Sequence, residues 1–146
     1  MDRLAEIGQA LDELGPRDFD DANENADGMD RVYLVCDELS RRDDPELWMP
    51  LLFALMERLG DLDLGSPGPI VHTLEQTGTA YRPLLAESVR RAPTPLTIWM
   101  VNRVLNENPE APDVWIGLLE GVERTPGASE EAVEEARNFL AFQRSR

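Results

Sequence analysis

Apolar residues recur every three or four positions along most of this chain, and no stretch keeps the period of two that a strand needs. Leu4, Ile7, Leu11 and Leu14 line one face of a first helix, which Gly15-Pro16 ends because proline cannot continue it. Residues 17–30 are acidic, nearly devoid of apolar side chains and rich in Asn and Asp, which predicts a loop. Val32, Val35, Cys36 and Leu39 predict a short helix ended by residues 40–44. A stronger one starts near Pro45, where proline suits the first turn, and carries Leu47, Trp48, Leu51, Leu52, Leu55, Met56 and Leu59. After a loop over 60–68, the spacing predicts helices over 69–76 and 79–91, the second using Tyr81, Leu84, Leu85 and Val89. Thr94 and Pro95 read as N-cap and first residue of a helix to about Asn106, burying Leu96, Trp99 and Val104 or Leu105. A turn over 108–112 leads to a helix with Val114, Trp115, Leu118, Leu119 and Val122. Ser129 caps the last helix, with glutamates near its positive end and Arg144 and Arg146 near its negative end. The expectation is an all-α chain of eight helices.

Three of these helices align. Trp48-Met49-Pro50-Leu51-Leu52, Tyr81-Arg82-Pro83-Leu84-Leu85 and Trp115-Ile116-Gly117-Leu118-Leu119 follow one another at offsets of 33 and 34 residues. Each places an aromatic and a leucine pair on one helix face, with proline or glycine two residues after the ring, which predicts a bend at the same place in each helix. A shorter helix precedes each copy. Neither the tetratricopeptide nor the ankyrin signature occurs at that period, so the pattern predicts a HEAT-like α-solenoid of three helix pairs plus flanking helices, one domain over 1–146.

Charge is the strongest feature of the composition. Fourteen basic against twenty-nine acidic residues leave −15, and every basic residue is arginine. Residues 1–73 carry eighteen acids and six bases, net −12, whereas 74–146 carry eleven and eight, net −3. Such a field repels phosphate backbones and anionic lipids, so nucleic acid and membrane are poor partners and a basic protein is a good one. The other reading is that acidity keeps the protein soluble. No apolar run is long enough to span a membrane, and residues 1–6 do not begin a secretory signal. One cysteine cannot form an internal disulfide. A cytoplasmic protein is therefore expected.

Candidate chemistry is sparse. His72, the single histidine, follows Val71 on a short helix and reads as a partly buried or edge residue. A triad of Ser66, His72 and Glu75 lacks a nucleophile elbow. Cys36 reads as a small core residue, and one cysteine with one histidine cannot supply a zinc site. Gly65-Ser66-Pro67-Gly68 lacks the Lys-Ser/Thr of a phosphate loop. Asn23, Asn25, Asp27 and Gly28 resemble the start of an EF-hand loop, but position 12 would be Leu34; starting from Asp21 places Ala26 at the glycine and Val32 at position 12. No catalytic, cofactor or metal site is expected, and no enzyme. Asn102, Arg103 and Asn106 form a polar cluster that reads as structural, bonding a neighbouring loop or acid, or else as a partner contact.

What remains is the acid itself: Asp18, Asp20, Asp21, Glu24, Asp27 and Asp30, extended by Asp37 and Glu38 and by Asp61 and Asp63 in the loop after the next helix. Like charges in such a segment repel and are expected to stabilise nothing internally. They form either a solvated loop or a recognition surface that a cationic partner neutralises.

The stretch Arg90-Arg91-Ala92-Pro93-Thr94-Pro95-Leu96-Thr97-Ile98-Trp99-Met100-Val101-Asn102-Arg103-Val104-Leu105-Asn106 resembles a segment of small helical immunity proteins from bacterial polymorphic-toxin and contact-dependent inhibition systems. Gly68-Pro69-Ile70-Val71-His72-Thr73-Leu74-Glu75 is similar too, so the resemblance covers roughly residues 66–108. It implies a cytoplasmic protein that neutralises a cognate toxin by tight stoichiometric binding. These families diverge most at the toxin-binding surface, so the resemblance carries over no binding residue. Joined to the charge reading, it leads to the expectation of an immunity protein whose acidic surface occludes a basic toxin domain, plausibly a nuclease. The alternative is a general HEAT-like scaffold or regulator with no toxin partner.

Overall fold

The structure, a computed structural model, describes residues 2–65 and 67–146; Met1 and Ser66 lie outside the described residues. Among those residues every regular element is helical: α1 (Arg3–Asp12), α2 (Gly28–Ser40), α3 (Pro45–Leu59), α4 (Gly68–Glu75), α5 (Arg82–Arg91), α6 (Pro95–Asn106), α7 (Pro112–Gly121) and α8 (Glu130–Arg144). Short 3-10 turns at Pro16–Phe19 and Val122–Arg124 complete the set.

The helix ends follow from side-chain chemistry. Proline stands in the first turn of α3, α4, α6 and α7, where its missing N–H costs nothing. The Asp2 carboxylate accepts from the Ala5 N–H at 2.7 Å, and Ser129 Oγ accepts from the Ala132 N–H at 3.0 Å. At α6, Thr94 Oγ1 accepts from the Thr97 N–H while Thr97 Oγ1 accepts from the Thr94 N–H, a reciprocal cap. Helix α5 begins at Arg82, later than the expected 79, because Pro83 favours a first-turn position. The aligned motif therefore does not occupy one register. Pro50 lies inside α3 and Gly117 inside α7, but Pro83 lies in the first turn of α5, and Tyr81 precedes that helix altogether. The three copies therefore do not offer the same helical position for the expected common bend.

The packing groups into two compact units, Met1–Tyr81 and Arg82–Arg146, with the boundary inside the second copy of the aligned motif. In the first unit α1 packs on α3 and α2 on α4. Its core takes Ile7 and Leu11 from α1, Val32, Cys36 and Leu39 from α2, Trp48, Leu52 and Met56 from α3, and Ile70 and Leu74 from α4. Arg58 of α3 donates to the carbonyls of Leu11 and Leu14 at 2.8 and 2.7 Å, so one guanidinium closes the end of α1 where no further helical turn can.

In the second unit α6 is central, packed against α5, α7 and α8. It buries Ile98, Met100, Val101, Val104 and Leu105, together with Thr97 and Asn102. Trp99 is only half-buried, contrary to expectation; its ring carries the Arg103 guanidinium at 4.8 Å from the centroid. Asn102 Oδ1 accepts from Gln143 Nε2 of α8 at 2.6 Å, and Asn106 Oδ1 accepts from the same nitrogen at 3.0 Å. The polar cluster on α6 thus ties two helices together, a structural role.

Candidate functional site

The acidic segment before α2 is more ordered than a self-repelling loop. Asp18 sits in the first 3-10 turn, where one carboxylate oxygen accepts from the Gly15 N–H at 2.8 Å and the other meets Arg31 of α2 at 2.8 Å. Asp27 holds the same arginine through Nε at 2.9 Å. Asp20 accepts from the Ala22 N–H at 2.9 Å, and Asn23 bridges the Arg17 carbonyl and the Asn25 N–H. The segment is also pinned sterically. A Cβ on Gly28 would stand 2.6 Å from the Asp18 carbonyl oxygen and 2.9 Å from the Phe19 ring. Some of the acid therefore does stabilise the fold, by neutralising Arg31 and by capping turns, which corrects the expectation that it stabilises nothing internally.

Asp21, Glu24 and Asp30 differ. All three are exposed, and among the described residues none of them makes a hydrogen bond or ion pair. The remaining predicted acids divide between two places. On α2, Asp37 pairs with Arg41 at 2.8 Å on an open surface, and Glu38 accepts two bonds from Arg3 of α1 at 2.6 and 2.7 Å. That bidentate contact holds the Glu38 carboxyl below its usual range and raises the arginine. Asp44 is lowered in the same way by its hydrogen bonds from Arg42. Asp61 and Asp63 lie in the separate loop after α3, both exposed, with Asp63 accepting from the Gly65 N–H at 2.9 Å. The structure thus gathers Asp18 and Asp27 around Arg31, and sets Asp30 and Asp37 on one outward face of α2.

That face also carries residues the sequence reading passed over. Tyr33 is 56% exposed and Leu34 71%, while Val32, Cys36 and Leu39 turn inward. Both lie off the 32/35/36/39 spacing, so a helical wheel drawn on the predicted helix would have put them outside. The first unit has nineteen acidic against six basic residues, net −13, and the second ten against eight, net −2.

The other candidate chemistry is scattered. His72 is exposed, because Ile70, Val71 and Leu74 take the inward face of α4; of the partly buried or edge position expected of it, the exposure fits the edge. Ser66 lies outside the described residues, so its distance from His72 is undefined. Cys36 is buried, and burial pushes its thiol up to about 11 despite a hydrogen bond with Thr73 of α4 that acts the other way. Among the described residues, no three His, Cys, Asp or Glu side chains converge as metal ligands, and no helix is long and apolar enough to cross a membrane. In the second unit a groove of about 390 Å³ runs between α5 and α7 past Arg90, Val114 and Gly117, with one acid, Asp113, on its wall.

No family model, curated protein or solved structure matches the chain.

Proposed function

We propose that this protein is a cytoplasmic immunity protein that binds a basic toxin domain, such as a nuclease, and blocks it by occupying its surface. The observation that carries the reading is the exposed, internally unpaired acid of Asp21, Glu24 and Asp30 in a unit of net charge −13. Carboxylates already committed to Arg31 or Arg3 have less to offer a partner; these three have no internal cation beside them among the described residues. Ionic steering by such a surface accelerates encounter with a cationic protein and fixes its orientation. The resemblance of residues 66–108 to helical immunity proteins points the same way.

Within this reading the helices act as HEAT-like pairs. Support comes from the packing of each helix on the next but one, α1 on α3 and α2 on α4 in one unit, α5 on α7 and α6 on α8 in the other. The aromatic of each aligned copy, Trp48, Tyr81 and Trp115, is buried, as a stacked repeat requires.

The experiment is growth protection. A polymorphic-toxin C-terminal domain encoded beside this gene is expressed with and without the protein. Rescue of growth together with a one-to-one complex of nanomolar or tighter affinity is expected. A toxic neighbour that the protein neither binds nor neutralises, or a gene with no such neighbour, contradicts the proposal and favours a general scaffold.

A further inference from the structure

Helix α2 is amphipathic in an unusual sense: both of its faces are apolar at their centres. The inner face packs on α4 through Val32, Cys36 and Leu39. The outer face follows the spacing Asp30, Tyr33, Leu34, Asp37, which at about 100° per residue gathers all four in one arc turned away from Val32, Cys36 and Leu39, with Leu34 farthest from that inner face and Tyr33 on the flank. Tyr33 and Leu34 are adjacent large apolar side chains left mostly in solvent, at 56% and 71% exposure. Burying apolar side chains of that size is favourable, so leaving two side by side forgoes a gain that nothing inside the fold requires.

The charge around them says what fits. Asp30 stands one turn before the pair and Asp37, partly offset by its exposed ion pair with Arg41, one turn after it; Asp21 and Glu24, in the segment that leads into the helix, keep the border acidic. An aromatic and a leucine at the centre of a charged border is the anatomy of an interface whose core is apolar and whose rim is ionic. The border is acidic, so anionic lipid and nucleic acid are repelled.

We infer that the outward face of α2 is the docking face for a cationic amphipathic helix of a partner protein, with Tyr33 and Leu34 as its apolar anchor and Asp30 and Asp37 as its rim. The inference rests on the proposed basic partner, and it names where on the chain that partner is held. Tyr33 and Leu34 supply contact energy that salt does not screen, whereas the carboxylates set orientation and approach.

The probe is a fluorescein-labelled peptide of leucine and lysine at helical spacing, about five turns long, titrated into the full-length protein and followed by anisotropy. The double variant Tyr33→Ser, Leu34→Ser is expected to weaken binding by about tenfold or more, and Phe142→Ser, which removes an exposed aromatic on α8, to leave it unchanged. Amide hydrogen exchange on the unaltered protein supplies the second readout, with protection by the peptide expected across residues 30–41. Binding undiminished in the double variant, no binding of the peptide at all, or protection confined to other helices overturns the inference. The functional proposal fails by a different result: a neighbouring toxin that is not neutralised while the peptide still protects α2.

Discussion

Single residues here show how little freedom the acidic segment has. Gly28 opens α2 with no unusual backbone angle, and alanine would normally help a helix there by about 0.5–1 kcal/mol. A Cβ 2.6 Å from the Asp18 carbonyl is a clash with backbone, which cannot rotate away as a side chain would. The clash wins, and Gly28→Ala is expected to destabilise the protein by roughly 1–3 kcal/mol in urea unfolding. Cys36 gives a second test at this scale. Its thiol is raised in the fold from 9.0 to about 11 by burial, so the native state favours the protonated form. The associated stability is complete below about pH 9 and is lost as pH rises toward 11. The alkaline decline in Tm should therefore be shallower in Cys36→Ala, and a thiol reagent should label the native protein far more slowly than the denatured one.

Among the elements, the helices most legible in sequence were those with explicit ends. Thr94-Pro95 and Ser129 announced α6 and α8 because the capping atoms belong to the same short stretch as the helix. The start of α5 was misplaced because Thr79, Ala80 and Tyr81 continue the apolar spacing that Pro83 interrupts. The Pro16–Phe19 turn was not legible, since what holds it is Arg31, a residue more than ten positions away. The acidic residues themselves could be named from the sequence. Spacing of i,i+4 suffices to suggest Asp27 with Arg31 and Asp37 with Arg41, but the pairing of Asp18 with Arg31 and of Glu38 with Arg3 could not be read, because those partners arrive from other elements. Arg58 makes the same point, for its spacing gives no hint that it serves α1. Replacing it by methionine keeps the aliphatic stem and removes both charged donors from the Leu11 and Leu14 carbonyls. Arg58→Met is expected to cost about 1.5–3 kcal/mol of unfolding free energy. Hydrogen exchange should show the loss first at the C-terminal turn of α1.

For the molecule as a whole, the decisive quantity is the uneven charge, −13 in the first unit against −2 in the second. A field built that way steers a cationic protein toward the first unit, and screening by salt weakens it over a Debye length of about 10 Å at 0.1 M. The reversal Asp21→Lys, Glu24→Lys, Asp30→Lys touches only side chains with no hydrogen-bond or ion-pair partner among the described residues, so the thermal midpoint should move little, the one internal loss being the favourable place of Asp30 in the first turn of α2, about 0.3–1 kcal/mol. Asp18→Lys or Asp27→Lys, by contrast, would release Arg31 and confuse loss of binding with loss of fold. The most direct measurement is the association rate with the toxin domain proposed as partner, taken as a function of salt for the unaltered protein and the triple reversal. The account predicts a rate that falls steeply with salt and drops about tenfold or more in the triple variant at low salt. A rate indifferent both to salt and to the reversal would contradict it.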